Sequence, residues 1–177
     1  MMTINQLYER ALNQGIEIDN VKMRELRAIS FPEGWIAIDM RKFDSKRELK
    51  CILAHEIGHC ETGSFYNIYS PFDLKAKCEY KANKRAVEIL MPIDEVREAM
   101  HNGYRSAWAL AELFEVTQTF AHMAMTFYAE KLHDVKHVVK RLEMPRLMRA
   151  SELPRPMPKA AGHDVIDYPD DDYESPF

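Results

Sequence analysis

In the stretch "AHEIGHCETG", residues 54–63, two histidines stand four positions apart and a glutamate directly follows the first. On a helix each residue turns about 100°, so His55 and His59 would share one face, about 6 Å apart along the axis. Two imidazoles placed that way can aim at one divalent ion. Glu56 would project from the neighbouring flank, near enough to take a proton from a water on that ion but poorly placed to bind the ion beside both histidines. Two nitrogen ligands and one carboxylate base are the division of labour behind HExxH. The implied chemistry is hydrolysis: zinc lowers the pKa of its water to roughly 7, and the carboxylate removes a proton as the water attacks a carbonyl. Because HExxH is short and recurs by chance, the surrounding sequence must carry part of the argument.

A hydrolytic zinc site takes three protein ligands and keeps one position open. Cys51 lines up with His55 and His59 at four-residue steps, but it would lie about 12 Å from His59 along the axis, too far for one ion. Cys60 points elsewhere and reads as a small buried thiol. The better candidate is Glu79 in "CEYKANKRAVEILMP", 20 residues after His59, a separation that allows a loop and a returning helix. There Leu74, Cys78, Ala82, Ala86 and Ile89 form a packing face of mostly small residues, and Glu79 borders it. Asn83, one turn on, can hydrogen-bond a ligand. Tyr66, Tyr69 and Tyr80 flank the region, and any of them can serve as a donor to a developing oxyanion.

The elements that must hold these residues are well punctuated. Thr3-Ile4-Asn5-Gln6 reads as a capping box opening a helix that stops at Gly15. Short apolar stretches at 16–18 and 26–29, the turn "FPEG" and the run "WIAIDM" predict a small antiparallel sheet with one drier face. Ser45-Lys46-Arg47-Glu48 is a second capping box, and Leu49, Ile52, Leu53 and Ile57 supply the apolar stripe of the helix it opens, with Gly63 as its stop. Gly58 interrupts that helix and predicts close packing against another element, on the side away from the ligands. A helix starting at Ser70-Pro71 or Asp73 runs to about Leu90, and another runs from Pro92 to Asn102-Gly103. Two more span about Ser106–Phe114 and Thr119–Lys140.

"LAHEIGHC" followed by "EYKANKRAVEILMP" resembles the ImmA/IrrE family of small zincin-like metallopeptidases of bacteria, phages and integrative elements. The resemblance covers roughly residues 1–130. It implies that His55, His59 and Glu79 ligate zinc and that Glu56 is catalytic. It also implies a protein substrate: such proteins sit beside a helix-turn-helix repressor and relieve repression by cleaving it or, alternatively, by binding and sequestering it. The family often has an acid just before Ala82 and an aromatic three residues after it, where this chain has Lys81 and Arg85.

The 177-residue chain is 46% hydrophobic and 29% charged, a globular composition sized for one domain. Its formal charge of −4 is uneven: residues 151–177 carry a net −5, which leaves the first 150 near neutral at +1. No basic face suggests nucleic acid as a direct partner. Residues 106–130 resemble a degenerate helix-turn-helix, but the second helix has no lysine or arginine before Lys131, so a packing or docking role fits better than base reading. His101, His122, His133 and His137 invite metal readings, but His133 and His137, four apart, lack the glutamate and the capped context and read as surface histidines on a frayed helix end. Three cysteines without CxxC spacing, no signal-peptide layout and no long apolar run predict a cytoplasmic protein with no membrane span. The expected fold is α+β: a zincin-like domain over residues 1–140, with the cleft between "WIAIDM" and the His55–His59 helix and an extended peptide adding to the sheet edge. Residues 141–177, acidic and holding five prolines after residue 150, read as a disordered tail.

Overall fold

The computed structural model describes residues 1–129. Within them six helices and a three-stranded sheet form an α+β domain. Helix α1 (Ile4–Asn13) opens with the full Thr3/Gln6 capping box and buries Leu7 and Ala11. Strands β1 (Glu17–Asn20), β2 (Ala28–Phe31) and β3 (Trp35–Ile38) come next, then a short 3-10 turn at Met40–Lys42.

The sheet is mixed rather than antiparallel. Its order is β1-β3-β2, with β3 antiparallel to β2 but parallel to β1. Residues 32–34 make a tight reversal between β2 and β3, in which Gly34 takes φ +85° and its N–H donates to the Phe31 carbonyl at 3.1 Å. Such a turn ending in a left-handed residue is a standard three-residue hairpin, and the stacked Phe31 and Trp35 rings, 4.8 Å apart, close it. The apolar runs indicate strands but not their order, and β1 joins the free edge of β3. Consequently Ala37, between its cross-strand partners Asp19 and Ile29, is buried, as are Ile36 and Ile38 on the other face. "WIAI" is therefore the central strand with both edges paired, and no peptide can add to it. The outer edges belong to β1 and β2, and β2 packs against the next helix.

That helix, α2 (Lys46–Thr62), lies at the centre of the domain. Ser45 caps its first turn by accepting from the Glu48 N–H, while the Glu48 carboxylate reaches the Asp44 N–H and Arg27 instead of closing the box on Ser45. Leu53 and Ile57 are fully buried, and so is Lys50, at 3% exposure. The Lys50 ammonium donates to the Phe114 carbonyl at 2.8 Å and satisfies the open C-terminal end of another helix. Burial lowers the pKa of this lysine.

Helix α3 (Phe72–Leu90) returns alongside α2. Cys78, Ala82, Ala86 and Ile89 are buried as expected, whereas Leu74 is exposed because the packing begins a turn later. A Cβ on Gly58 would stand 2.5 Å from the Ala82 carbonyl oxygen, so only glycine permits this approach. The neighbour is the helix that carries Glu79, not an element on the far side. Glu61 fastens the arrangement: its carboxylate accepts from Arg10 of α1, from Gln14 at that helix's C-cap and from Arg85 of α3.

Helices α4 (Ile93–His101), α5 (Ala107–Phe114) and α6 (Gln118–Tyr128) complete the core. Leu110, Ala111, Phe114, Val116, Phe120, Ala121, Ala124 and Met125 are all buried, which gives the helix-turn-helix-like pair a packing role. No helix among the described residues is long and apolar enough to cross a membrane. The expected continuation to Lys140, His133, His137 and the tail at 141–177 lie outside the described residues.

Candidate metal centre

The C-terminal half of α2 and the first half of α3 bring three side chains together. His55 Nε2 lies 3.1 Å from His59 Nε2 and 3.4 Å from Glu79 Oε2, and His59 Nε2 lies 3.3 Å from Glu79 Oε1. One ligand atom from each falls within 4.8 Å of the others, and this is the one such group among the described residues. Ligands about 2.0–2.2 Å from a tetrahedral ion are themselves separated by about 3.3 Å. The closest approaches, 3.1–3.4 Å with a different Glu79 oxygen facing each imidazole, are of that size, so these residues fit a divalent metal ion.

Each imidazole is oriented by its other nitrogen. His55 Nδ1 is 2.9 Å from Asn83 Oδ1, the role expected for Asn83. His59 Nδ1 is 2.6 Å from the Ser64 carbonyl oxygen. A carbonyl only accepts, so the proton of neutral His59 resides on Nδ1 and the Nε2 lone pair is left for an ion. The Ser64 contact arises from how α2 ends. Gly63 adopts φ +59°, its N–H donates to the Cys60 carbonyl, and the Ser64 N–H donates to the His59 carbonyl at 3.1 Å. This Schellman turn folds the chain back over the last helical turn. Gly63 is visible in the sequence, but the carbonyl its turn delivers to His59 is not.

The local field suits a cation. Burial lowers the His59 pKa, yet its bonds to Glu79 and the Ser64 carbonyl and the charges of Glu56 and Glu79 outweigh burial and raise it. Burial raises the Glu79 carboxyl, but His59, the Tyr66 hydroxyl and the charge of His55 overcome that and hold it at about 2. Glu79 is thus ionised at neutral pH. Tyr66 donates to Glu79 Oε1 at 2.6 Å, and both burial and that bond push its pKa up, keeping it a phenol. Of the three flanking tyrosines it alone touches a member of the triad: Tyr69 is exposed, and Tyr80 packs edge-on against Phe127. Glu56 is 8% exposed and lies on α2 directly after His55.

Residues 23–126 match the family model of the IrrE N-terminal-like domain, a peptidase family designated M78. The chain belongs to this family. No curated protein matches it. In this M78 member Arg85, at the position expected to be aromatic, pairs with Glu61 at 2.6 Å and Glu88 at 3.0 Å, while Lys81 is exposed. Both departures leave the triad intact. Two cysteines stand apart from it: Cys51 is buried and accepts from Thr117, and Cys60 is partly buried, with burial pushing its thiol pKa up to about 11. His101 is exposed and His122 partly so, and neither falls in the metal-sized group found among the described residues.

Proposed function

We propose that this protein is a zinc-dependent peptidase that cleaves a helix-turn-helix repressor and so relieves repression. The observation that carries the reading is the His55–His59–Glu79 triangle, built in a member of a peptidase family with an acid, Glu56, on the same helix. His55, His59 and Glu79 hold the ion, which when bound supplies Lewis acidity to the scissile carbonyl. Glu56 takes the proton of the attacking water and passes it to the leaving amine. Asn83 and the Ser64 carbonyl keep the two imidazoles aimed, and the Tyr66 hydroxyl holds the Glu79 carboxylate in the resting site, from which its one proton can swing to the developing oxyanion. The exposure of the Glu79 side chain, 37% against 8% for His59, leaves one side of the centre open to a substrate.

The test is Glu56→Gln. The metal content should equal that of wild type, and cleavage of a repressor encoded beside this protein should fall by about 10²–10⁴-fold, the usual share of a general base. Repressor bound but left intact by both proteins would overturn hydrolysis and favour sequestration.

A further inference from the structure

We infer that residues 66–72 form the substrate-recognition lip of the metal centre and that the lip selects peptide segments carrying a bulky apolar side chain two to three residues from the cleaved bond. This rests on the hydrolytic reading above and adds a substrate class to it. Half of the exposed large apolar side chains among the described residues fall between positions 66 and 80. Ile68 is 79% exposed, Tyr69 87% and Phe72 61%. The ten residues 63–72, "GSFYNIYSPF", contain no charged side chain although 29% of the chain is charged. A clustered apolar display of this kind marks an interaction site rather than ordinary surface.

The display is built, not slack. Asn67 Oδ1 accepts from the Tyr69 N–H at 2.9 Å, Ser70 Oγ accepts from the Asn67 N–H at 3.0 Å, and the Ser70 N–H donates to the Asn67 carbonyl at 3.1 Å. The segment is tied along α3 by Cys78 Sγ on the Phe65 carbonyl and Lys75 Nζ on the Ile68 carbonyl. With the turn fixed, Ile68 and Tyr69 are held in solvent at little further ordering cost on binding.

The lip is continuous with the triad. Tyr66 bonds Glu79 directly, and Ile68 is anchored at Lys75, one turn earlier on α3. Phe72 precedes Glu79 by seven residues, hence stands on the same helical face about 10 Å away. An extended peptide advances about 3.3 Å per residue, so a side chain reaching this strip lies two to three residues from the bond at the metal. Between residues 63 and 72 the strip carries no charge, and the neighbouring Lys75 ammonium is taken up by the Ile68 carbonyl, which makes that side chain apolar.

The experiment uses the full-length, zinc-loaded protein and a defined library of synthetic dodecapeptides. Cut positions from wild type should show leucine, phenylalanine or methionine enriched two to three residues from the break. In Ile68→Ser/Tyr69→Ser the KM for such peptides should rise about 10-fold with kcat unchanged, and peptides lacking the apolar residue should be cut as before. Cleavage with no apolar enrichment, or with an unchanged KM in the double variant, would overturn the lip. Should no peptide be cut, the same library is passed over immobilised Glu56→Gln protein. Apolar peptides retained there and lost on adding Ile68→Ser/Tyr69→Ser would uphold the lip and sink the peptidase reading, and equal retention would sink the lip.

Discussion

Two helical hairpins in this domain begin with the same turn and end in different uses. Helix α2 leaves through a left-handed Gly63 and α5 through a left-handed Glu115, at φ 59° and 52°. In each, the next residue donates back to a carbonyl five positions earlier: Ser64 to His59 at 3.1 Å, Val116 to Ala111 at 3.1 Å. After Glu115 the chain drops Val116, wholly buried, into the core and starts α6 under the Thr117 cap. After Gly63 it presents a polar residue whose carbonyl seizes an imidazole, then runs an uncharged loop to α3. The turn is local chemistry, and its consequence depends on the residue placed directly after it. A side chain dropped into the core makes a packing joint, and a carbonyl turned onto a histidine makes part of a site.

The sharpest way to break this comparison is to damage each hairpin in turn. Phe114, 2% exposed at the end of α5, is pure packing. Phe114→Ala should lower unfolding free energy by about 3–5 kcal/mol, read from denaturant melts, while the metal affinity of the still-folded protein stays within about twofold. Gly58→Ala drives a methyl into the Ala82 carbonyl, 2.5 Å away, and forces α2 from α3. A loss of about 1–3 kcal/mol is expected, and here zinc affinity, followed by competition with a chromophoric chelator, should fall as well because Glu79 moves with α3. Asn83→Ala should do the reverse of Phe114→Ala: zinc affinity down about 10–100-fold with the metal-free melting temperature nearly unchanged.

The smallest effect concerns neither hairpin alone. Asp39, fully buried after β3, accepts from Arg41, the Arg41 N–H and the Met23 N–H, and these bonds hold its pKa well below the usual carboxylate range. A depressed carboxylate contributes stability that is present above its unfolded value of about 3.9 and lost as pH falls toward its folded one. Asp39→Asn should therefore be less stable than wild type at neutral pH, with the gap closing below about pH 4. Circular dichroism melts across that range check it, and a gap that stays constant would mean the carboxylate does not titrate with folding.

The same contrast separates what is legible in the sequence from what is not. His55, Glu56 and His59 are set by spacing on a single helix, and the caps at Thr3, Ser45, Gly63 and Ser106 are contiguous signals. Glu79 is reachable because small residues on α3 announce a close helix pair. The order of the strands is not, since β1 pairs with a strand fifteen or more residues away and short apolar runs carry no direction. Nor is Lys50, whose burial depends on a carbonyl 64 positions later.

From sequence alone come the helix that carries two imidazoles on one face, the glutamate between them, a glycine that marks a close approach without naming the neighbour, and the family. These are properties of neighbours along the chain, where covalent geometry limits the outcomes. Tertiary structure alone decided that β3 is the interior strand and that Tyr66 rather than Tyr69 or Tyr80 reaches Glu79. Each is a contact between segments whose approach is fixed by packing, and packing is a sum over the whole core that no single stretch encodes.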